Sequence, residues 1–105
     1  MNFIEGRVDQ GFFVSDSLRI PITHPNAAVT MGLRPEHIHV LTQPEDGAIP
    51  ASVYVTELMG NETFVFLSVG PHRLIARAPA DFRAEVEAPV WLRLETDKAH
   101  FFEKE

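Results

Sequence analysis

By type and spacing, the residues that could do chemistry are His37 and His39 with Glu36 beside them, and the carboxylates Glu57 and Glu62 about a Gly60-Asn61 turn. His-x-His on an extended segment puts two imidazoles on one face, and paired histidines so placed can chelate zinc or nickel. A third ligand would have to come from His24, His72 or His100, and none of these has a ligand-type neighbour at metal-site spacing. The histidines are therefore read as solvated or structurally bonded, with no metal site. Glu57 and Glu62 make a poor catalytic pair, because no nucleophile stands near them and nothing gives the two carboxyls opposed environments. Gly60 can take a positive φ in the turn, and Glu62 can accept hydrogen bonds from turn amides. No catalytic residue is assigned.

Arg34-Pro35-Glu36 supports two readings that share one premise: Pro35 has a fixed φ and pushes Arg34 into an extended conformation. In the first, Arg34 and Glu36 pair with strand ends or loop carbonyls and hold a bend. In the second, the bend faces a second subunit or another domain, where Arg can make bidentate bonds.

Period-two alternation must supply the elements that position these residues. Val29, Met31 and Leu33 share one strand face, as do Val53 and Val55, and again Val90, Leu92 and Leu94. Phe64-Val65-Phe66-Leu67 is apolar without a break, as expected of a strand covered on both faces. Gly60-Asn61 and Gly70-Pro71-His72 are hairpin signals, and Pro44-Glu45-Asp46-Gly47 is a longer loop. Short strands at this spacing predict an all-β barrel or sandwich. Its expected core holds Val53, Val55, Phe64, Phe66, Leu74, Val90, Leu92 and Leu94. One short helical turn is expected over Asp81 to Glu87, capped by Asp81, with Phe82 and Val86 aligned and Pro89 ending it. Trp91 points away from the Val90, Leu92 and Leu94 face, alongside Arg93, and is expected to pack on Phe101 and Phe102, the alternative being a place on a partner surface. The strands before Pro44 and those after Gly47 could form two halves of one composite barrel, and the whole of 1–105 is taken as a single domain.

A chain of 105 residues has room for one core, and at this size buries roughly two-thirds of the surface its unfolded form exposes. Hydrophobic content of 45% and charged content of 23% are globular values and argue against disorder. The net charge of −6, with nine Lys and Arg, opposes a nucleic-acid backbone, whose binding depends on basic residues displacing counterions. An OB-type binder of single strands would also want aromatics interleaved with Lys and Arg, and here the aromatics lie among acids or in apolar runs. With no cysteine, disulfides and thiolate metal sites are excluded, which suits a reducing compartment. No stretch approaches the ~20 apolar residues of a membrane span.

Three runs carry a resemblance: Met1-Asn2-Phe3-Ile4-Glu5-Gly6-Arg7-Val8, Met31-Gly32-Leu33-Arg34-Pro35-Glu36-His37-Ile38 and Met59-Gly60-Asn61-Glu62-Thr63-Phe64-Val65-Phe66. Through them nearly the whole chain resembles the C-terminal regulatory part, the transport-associated OB-like (TOBE) region, of the ATP-binding subunits of maltose-type sugar importers. The resemblance implies an OB-like small β-barrel and a non-catalytic regulatory and dimerisation role in an ABC-type importer. It implies a cytoplasmic location, peripheral at the inner face of the cell membrane. The implied partners are a second copy, the transporter's membrane subunits through the full-length protein, and regulatory proteins; nucleic acid is not among them. Arg34, Pro35, Glu36 and His37 match the family's Arg-Pro-Glu-His motif, and Gly60, Asn61 and Glu62 open its Gly-x-Glu-Thr hairpin; these seven are the candidate interface.

The same resemblance implies an ATPase in the full-length protein, yet this chain has no Gly-Lys-Ser/Thr loop to cradle phosphates. ATP and magnesium are expected only in a nucleotide-binding domain absent from this chain, and Met1-Asn2-Phe3 resembles the point where that domain hands over. A direct small-ligand or oxyanion sensor is the alternative, since related domains of oxyanion importers bind their ligand. The Ser-Ala-Arg-Asn signature associated with molybdate binders is missing here.

Overall fold

The computed structural model describes residues 1–16 and 18–103. Among these the fold is all-β, with ten strands in two five-stranded antiparallel sheets. The first sheet runs in the order β10 (His100–Glu103), β4 (Ala27–Leu33), β1 (Asn2–Asp9), β2 (Phe12–Ser15), β3 (Leu18–Pro21). The second runs β5 (Ile38–Leu41), β9 (Pro89–Leu94), β6 (Ile49–Met59), β7 (Glu62–Val69), β8 (His72–Pro79). The chain changes sheets at the Arg34 bend rather than at the Pro44 loop, which only connects β5 to β6 within the second sheet. β10 then returns to the first sheet, so the halves are not a simple front and back of the sequence.

Two-residue turns set the register of the second sheet. Met59 faces Glu62 across Gly60-Asn61, and Val69 faces His72 across Gly70-Pro71. Gly60 and Gly70 take φ of +68° and +57° as the first turn residue, the position where a II′ hairpin turn needs a residue free of a Cβ. The second sheet curls until β5 and the 35–37 bend pack against β8, which gives it the OB-like character of a nearly closed barrel.

Asn2 ties the two sheets together. Its side-chain Nδ2 donates to the carbonyls of Leu33 at 3.0 Å and Ile75 at 2.8 Å, and its Oδ1 accepts from the Ile75 amide at 2.7 Å. One buried side-chain amide thus acts as a peptide group on the open edge of β8.

The core between the sheets contains Val8, Phe13, Val29, Met31, Ile38, Val65, Leu67 and Ala76 along with the expected Val53, Leu74, Val90 and Leu92. Leu94 is only partly buried but packs on this core. Three expected core residues lie elsewhere. Phe64 and Phe66 are on the outer face of β7, because Thr63, Val65, Leu67 and Val69 take the inner one. An unbroken apolar run carries no phase, so the sequence could not tell which alternate set turns inward. Val55 is 41% exposed. Here the cause is a bulge: Val53 pairs with Leu67 but Val55 with Phe66, so Tyr54 is an extra residue and the phase of β6 inverts beyond it.

No helix forms over Asp81 to Glu87; the segment is turn and coil. The amide of Glu87 bonds the Val53 carbonyl and the amide of Val53 bonds the Ala88 carbonyl, so the backbone groups that would close a helical turn are used to dock the segment beside the bulge. A lone turn with one i, i+4 pair cannot offset the cost of helix nucleation. The helical turns that do form are 3-10, at Pro35–His37 and Thr96–Lys98. Trp91 is half-buried on β9 between Leu41 and Pro50 of its own sheet. Phe101 and Phe102 belong to the other sheet, where their rings meet Phe13 and His24, and Phe3 and His100, respectively. The expected packing of Trp91 on that pair is therefore not what the fold provides.

Candidate functional site

Arg34 is extended, with φ −74° and ψ 148°, as the following proline requires. Pro35 opens the 3-10 turn, closed by the His37 amide donating to the Arg34 carbonyl at 3.0 Å. The Glu95 amide bonds the His37 carbonyl, which fixes the far side of the bend to the end of β9. His37 therefore sits in a turn and not on an extended segment, so the two imidazoles of His37-x-His39 do not form a strand-face pair. The His37 Nδ1 is buried without a hydrogen-bond partner, while the His39 Nε2 lies 2.8 Å from the Glu95 carboxylate. Among the described residues no three His, Cys, Asp or Glu are grouped to hold a metal.

The residue that organises the surface is Arg77 on β8. Its Nε and Nη2 donate to Glu62 Oε2 at 3.0 and 2.7 Å, and its Nη1 lies 3.4 Å from Glu36. One guanidinium thus bridges the bend to the hairpin, two candidate segments separated in sequence, and Glu62 is taken by Arg77 rather than by turn amides. The fork of Arg suits this, since it presents several donors in one plane. Together with His39, Asn61 and Pro79 these residues line a shallow hollow of about 310 Å³. Sequence reasoning missed Arg77. The available signal was a cation at an outward position of the strand that follows the hairpin.

The electrostatics follow from these contacts. Glu36 titrates below the ordinary carboxylate range because its own backbone amide bonds it, with Arg77, His37 and Arg34 adding attraction. Glu62, bonded to Arg77, raises the pKa of that guanidinium. Glu95 is also held low, first by the hydrogen bond with His39 and then by Lys98 at 3.2 Å. Among the described residues the side chains of Arg34 and Glu57 are exposed and have no ion-pair or hydrogen-bond partner.

A pH dependence is expected from the lowered carboxyls. Because the folded state binds their protons less tightly than the unfolded chain, Glu36 and Glu95 stabilise the fold above the unfolded value near 4.5, and that contribution disappears as pH falls through their folded values. Melting temperature followed from pH 7 down to about pH 3 should drop for the parent chain and flatten for Glu95→Gln in the acid limb. Parallel curves for the two proteins would show that the Glu95 contacts do not act in solution.

Family comparison places residues 31–102 on the TOBE domain model and residues 1–38 on the MalK OB fold domain model. The chain is 34% identical to the uncharacterized ABC transporter ATP-binding protein YcjV of Escherichia coli O6:H1, over 100% of this chain and 32% of the relative. It is 30% identical to the sn-glycerol-3-phosphate import ATP-binding protein UgpC of Pectobacterium atrosepticum, over 100% of this chain and 31% of the relative. For UgpC of Salmonella typhi the identity is 29%, over 100% and 32%. The chain spans about a third of the length of these curated relatives.

Proposed function

The chain belongs to the TOBE-domain family, and from that premise we propose that it is the regulatory and dimer-stabilising domain of the ATP-binding subunit of an ABC importer for a sugar or related solute. It is the non-catalytic TOBE and OB region of such a subunit. In this reading ATP and magnesium belong to the nucleotide-binding domain of the full-length subunit, which works beneath membrane partners at the cytoplasmic face. Among the described residues no helix is long and apolar enough to cross a membrane. The role of the domain is to keep two subunits close while the nucleotide-binding domains open and close. A dimer tethered at its regulatory end re-forms at a high effective concentration instead of by diffusion from solution.

The observation that supports this reading is the Arg77 bridge. It makes the bend 34–37 and the hairpin 60–62 one rigid, exposed surface, available to a second copy or to a regulatory protein. A two-fold pairing would use the same patch on both copies.

The isolated chain is expected to self-associate weakly, with a dissociation constant of roughly micromolar or poorer, because the nucleotide-binding halves are missing. In sedimentation experiments Glu36→Arg should weaken the dimer while leaving the melting temperature of the dilute chain nearly unchanged, since exposed ion pairs contribute little to folding. Unfolding of that variant would make the bend purely structural. A change in neither quantity would place the interface away from the bend.

A further inference from the structure

The loop between β5 and β6 lies outside the Arg77 surface, and it carries the one Asp-Gly pair of the chain, Asp46-Gly47, in a sequence with no Asn-Gly. The two residues form the corner of a β-turn closed by the Ala48 amide donating to the Glu45 carbonyl at 3.0 Å. Gly47 has φ +81°, the positive value that the third residue of a type II turn requires. Both residues are exposed, and a Cβ built at Gly47 would meet nothing within 4 Å. Among the described residues neither the Asp46 carboxylate nor the Gly47 amide has a hydrogen-bond or ion-pair partner. A carboxyl carbon and the next amide nitrogen thus stand side by side at a loop tip, open to water and tied to nothing else.

We propose that Asp46 is a modification site, at which the chain converts itself to the isoaspartyl form. The Gly47 nitrogen attacks the Asp46 carboxyl carbon, the new C–N bond closes a five-membered succinimide, and the carboxyl hydroxyl leaves with the amide proton as water. Water then adds to either ring carbonyl. Breaking the bond from nitrogen to the side-chain carbonyl restores aspartate. Breaking the bond from nitrogen to the main-chain carbonyl of Asp46 leaves the peptide running through Cβ and Cγ and sets a free carboxylate on Cα. Nothing is oxidised or reduced, and water is the only co-reactant. The step favours glycine after the aspartate, because a side chain there would crowd the ring and restrict the rotation that brings nitrogen to carbon. The product has one more carbon in the main chain of a tight turn, so the hydrogen bond from Ala48 to Glu45 is lost. From that turn Glu45 reaches Arg93 Nη1 at 3.3 Å, and the two line, with Arg19, Ile20 and Leu92, a hollow of about 290 Å³ between β3 and β9. The change at Asp46 therefore releases Arg93 and reshapes that hollow.

The test keeps the purified chain warm at neutral pH for several weeks and probes it with an isoaspartyl methyltransferase and labelled S-adenosylmethionine, whose methyl group passes to the isoaspartyl carboxylate. Label is expected to grow from baseline to a large share of the chains and to map to the peptide containing Asp46, which should split into two chromatographic peaks of one mass. Asp46→Glu keeps the charge but would have to close a six-membered ring, so it should lose this label. Asp46→Asn, whose leaving group is ammonia, should acquire it several-fold faster. Melting curves check that both variants are folded, and a parallel sample in urea shows that the assay detects the reaction in the unfolded chain. If the folded parent chain stays unlabelled while the urea sample is labelled, the turn holds carboxyl and amide apart and the proposal fails. It fails equally if the label in the folded chain maps to Asn26 or Asn61 instead of Asp46, or persists unchanged in Asp46→Glu.

Discussion

Replacing Phe13 by Ala is expected to cost about 3–5 kcal/mol of folding stability, the range for deleting a fully enclosed aromatic side chain. Phe13 is completely buried. Its ring fills the space left open by Gly6, where a Cβ would fall 2.8 Å from the ring tip, and it meets Phe101 from β10 at 6.4 Å. Truncation therefore opens a cavity within the hydrophobic core, where close-packed neighbours leave little freedom to collapse. The half-buried Phe66 serves as the internal comparison. Its replacement by Ala should cost only about 1–2 kcal/mol, because the outer face of β7 leaves part of the ring in water already. Urea melts of the two variants test the inner and outer assignment together. Equal losses, or a larger loss at Phe66, would reverse the phase assigned to β7.

Loss of the Asn2 amide should have the other large effect. Asn2→Ala leaves the Leu33 and Ile75 carbonyls and the Ile75 amide without their partner, and an expected cost of about 2–4 kcal/mol follows from stranding several backbone groups at once. Asn2→Asp gives a sharper signature. Its carboxylate would replace a donor that faces two carbonyl oxygens, so the charged form is disfavoured and the folded-state pKa rises above the unfolded value of about 3.9. The penalty is then full at neutral pH and recedes as the group protonates on acidification. Chemical denaturation at pH 7 and at about pH 4, each referred to the parent chain, should show a smaller loss for Asn2→Asp in acid. Equal losses at the two pH values would mean that the substituted side chain has swung out to solvent.

The strand content was legible because alternation, hairpin turns and the resemblance all pointed the same way. Val53, Val90 and Leu92 were read correctly from period two, and Leu74 was also correctly expected in the core. Phase was harder. In Phe64-Val65-Phe66-Leu67 both alternate sets are apolar, and large aromatics suggested the inside, yet the narrow space between the sheets accepts Val65 and Leu67 against Ala76 and Leu74. Val55 failed for a different reason, since a one-residue bulge at Tyr54 leaves no mark in composition. The helical expectation at 81–87 failed because it counted local pairs and overlooked a non-local demand: Val53, beside the bulge, needed backbone partners, and residues 87 and 88 supplied them.

The candidate surface was half legible. Pro35 announced the bend and Gly60 the hairpin, and each could be placed at a strand end from turn chemistry. That they stand together could not be read from either segment. It depends on β8 lying beside both, a fact of topology, and on Arg77 reaching sideways from it to both carboxylates. The partners of His39 were hidden similarly, because Glu95 reaches it only once β5 has paired with β9.

The Asn2 contact bears on the life of the chain before it is folded. Ile75 lies in the middle of β8, an edge strand whose outward amides and carbonyls are a template for any passing extended segment. By occupying both groups of Ile75, Asn2 blocks that edge at its midpoint. Any species in which β1 has not yet docked exposes an open strand flanked by Phe64 and Phe66, the composition from which fibrils nucleate. The side chain that joins two sheets in the native molecule is thus also a guard against polymerisation, and its effect on the yield of soluble protein can exceed its effect on equilibrium stability.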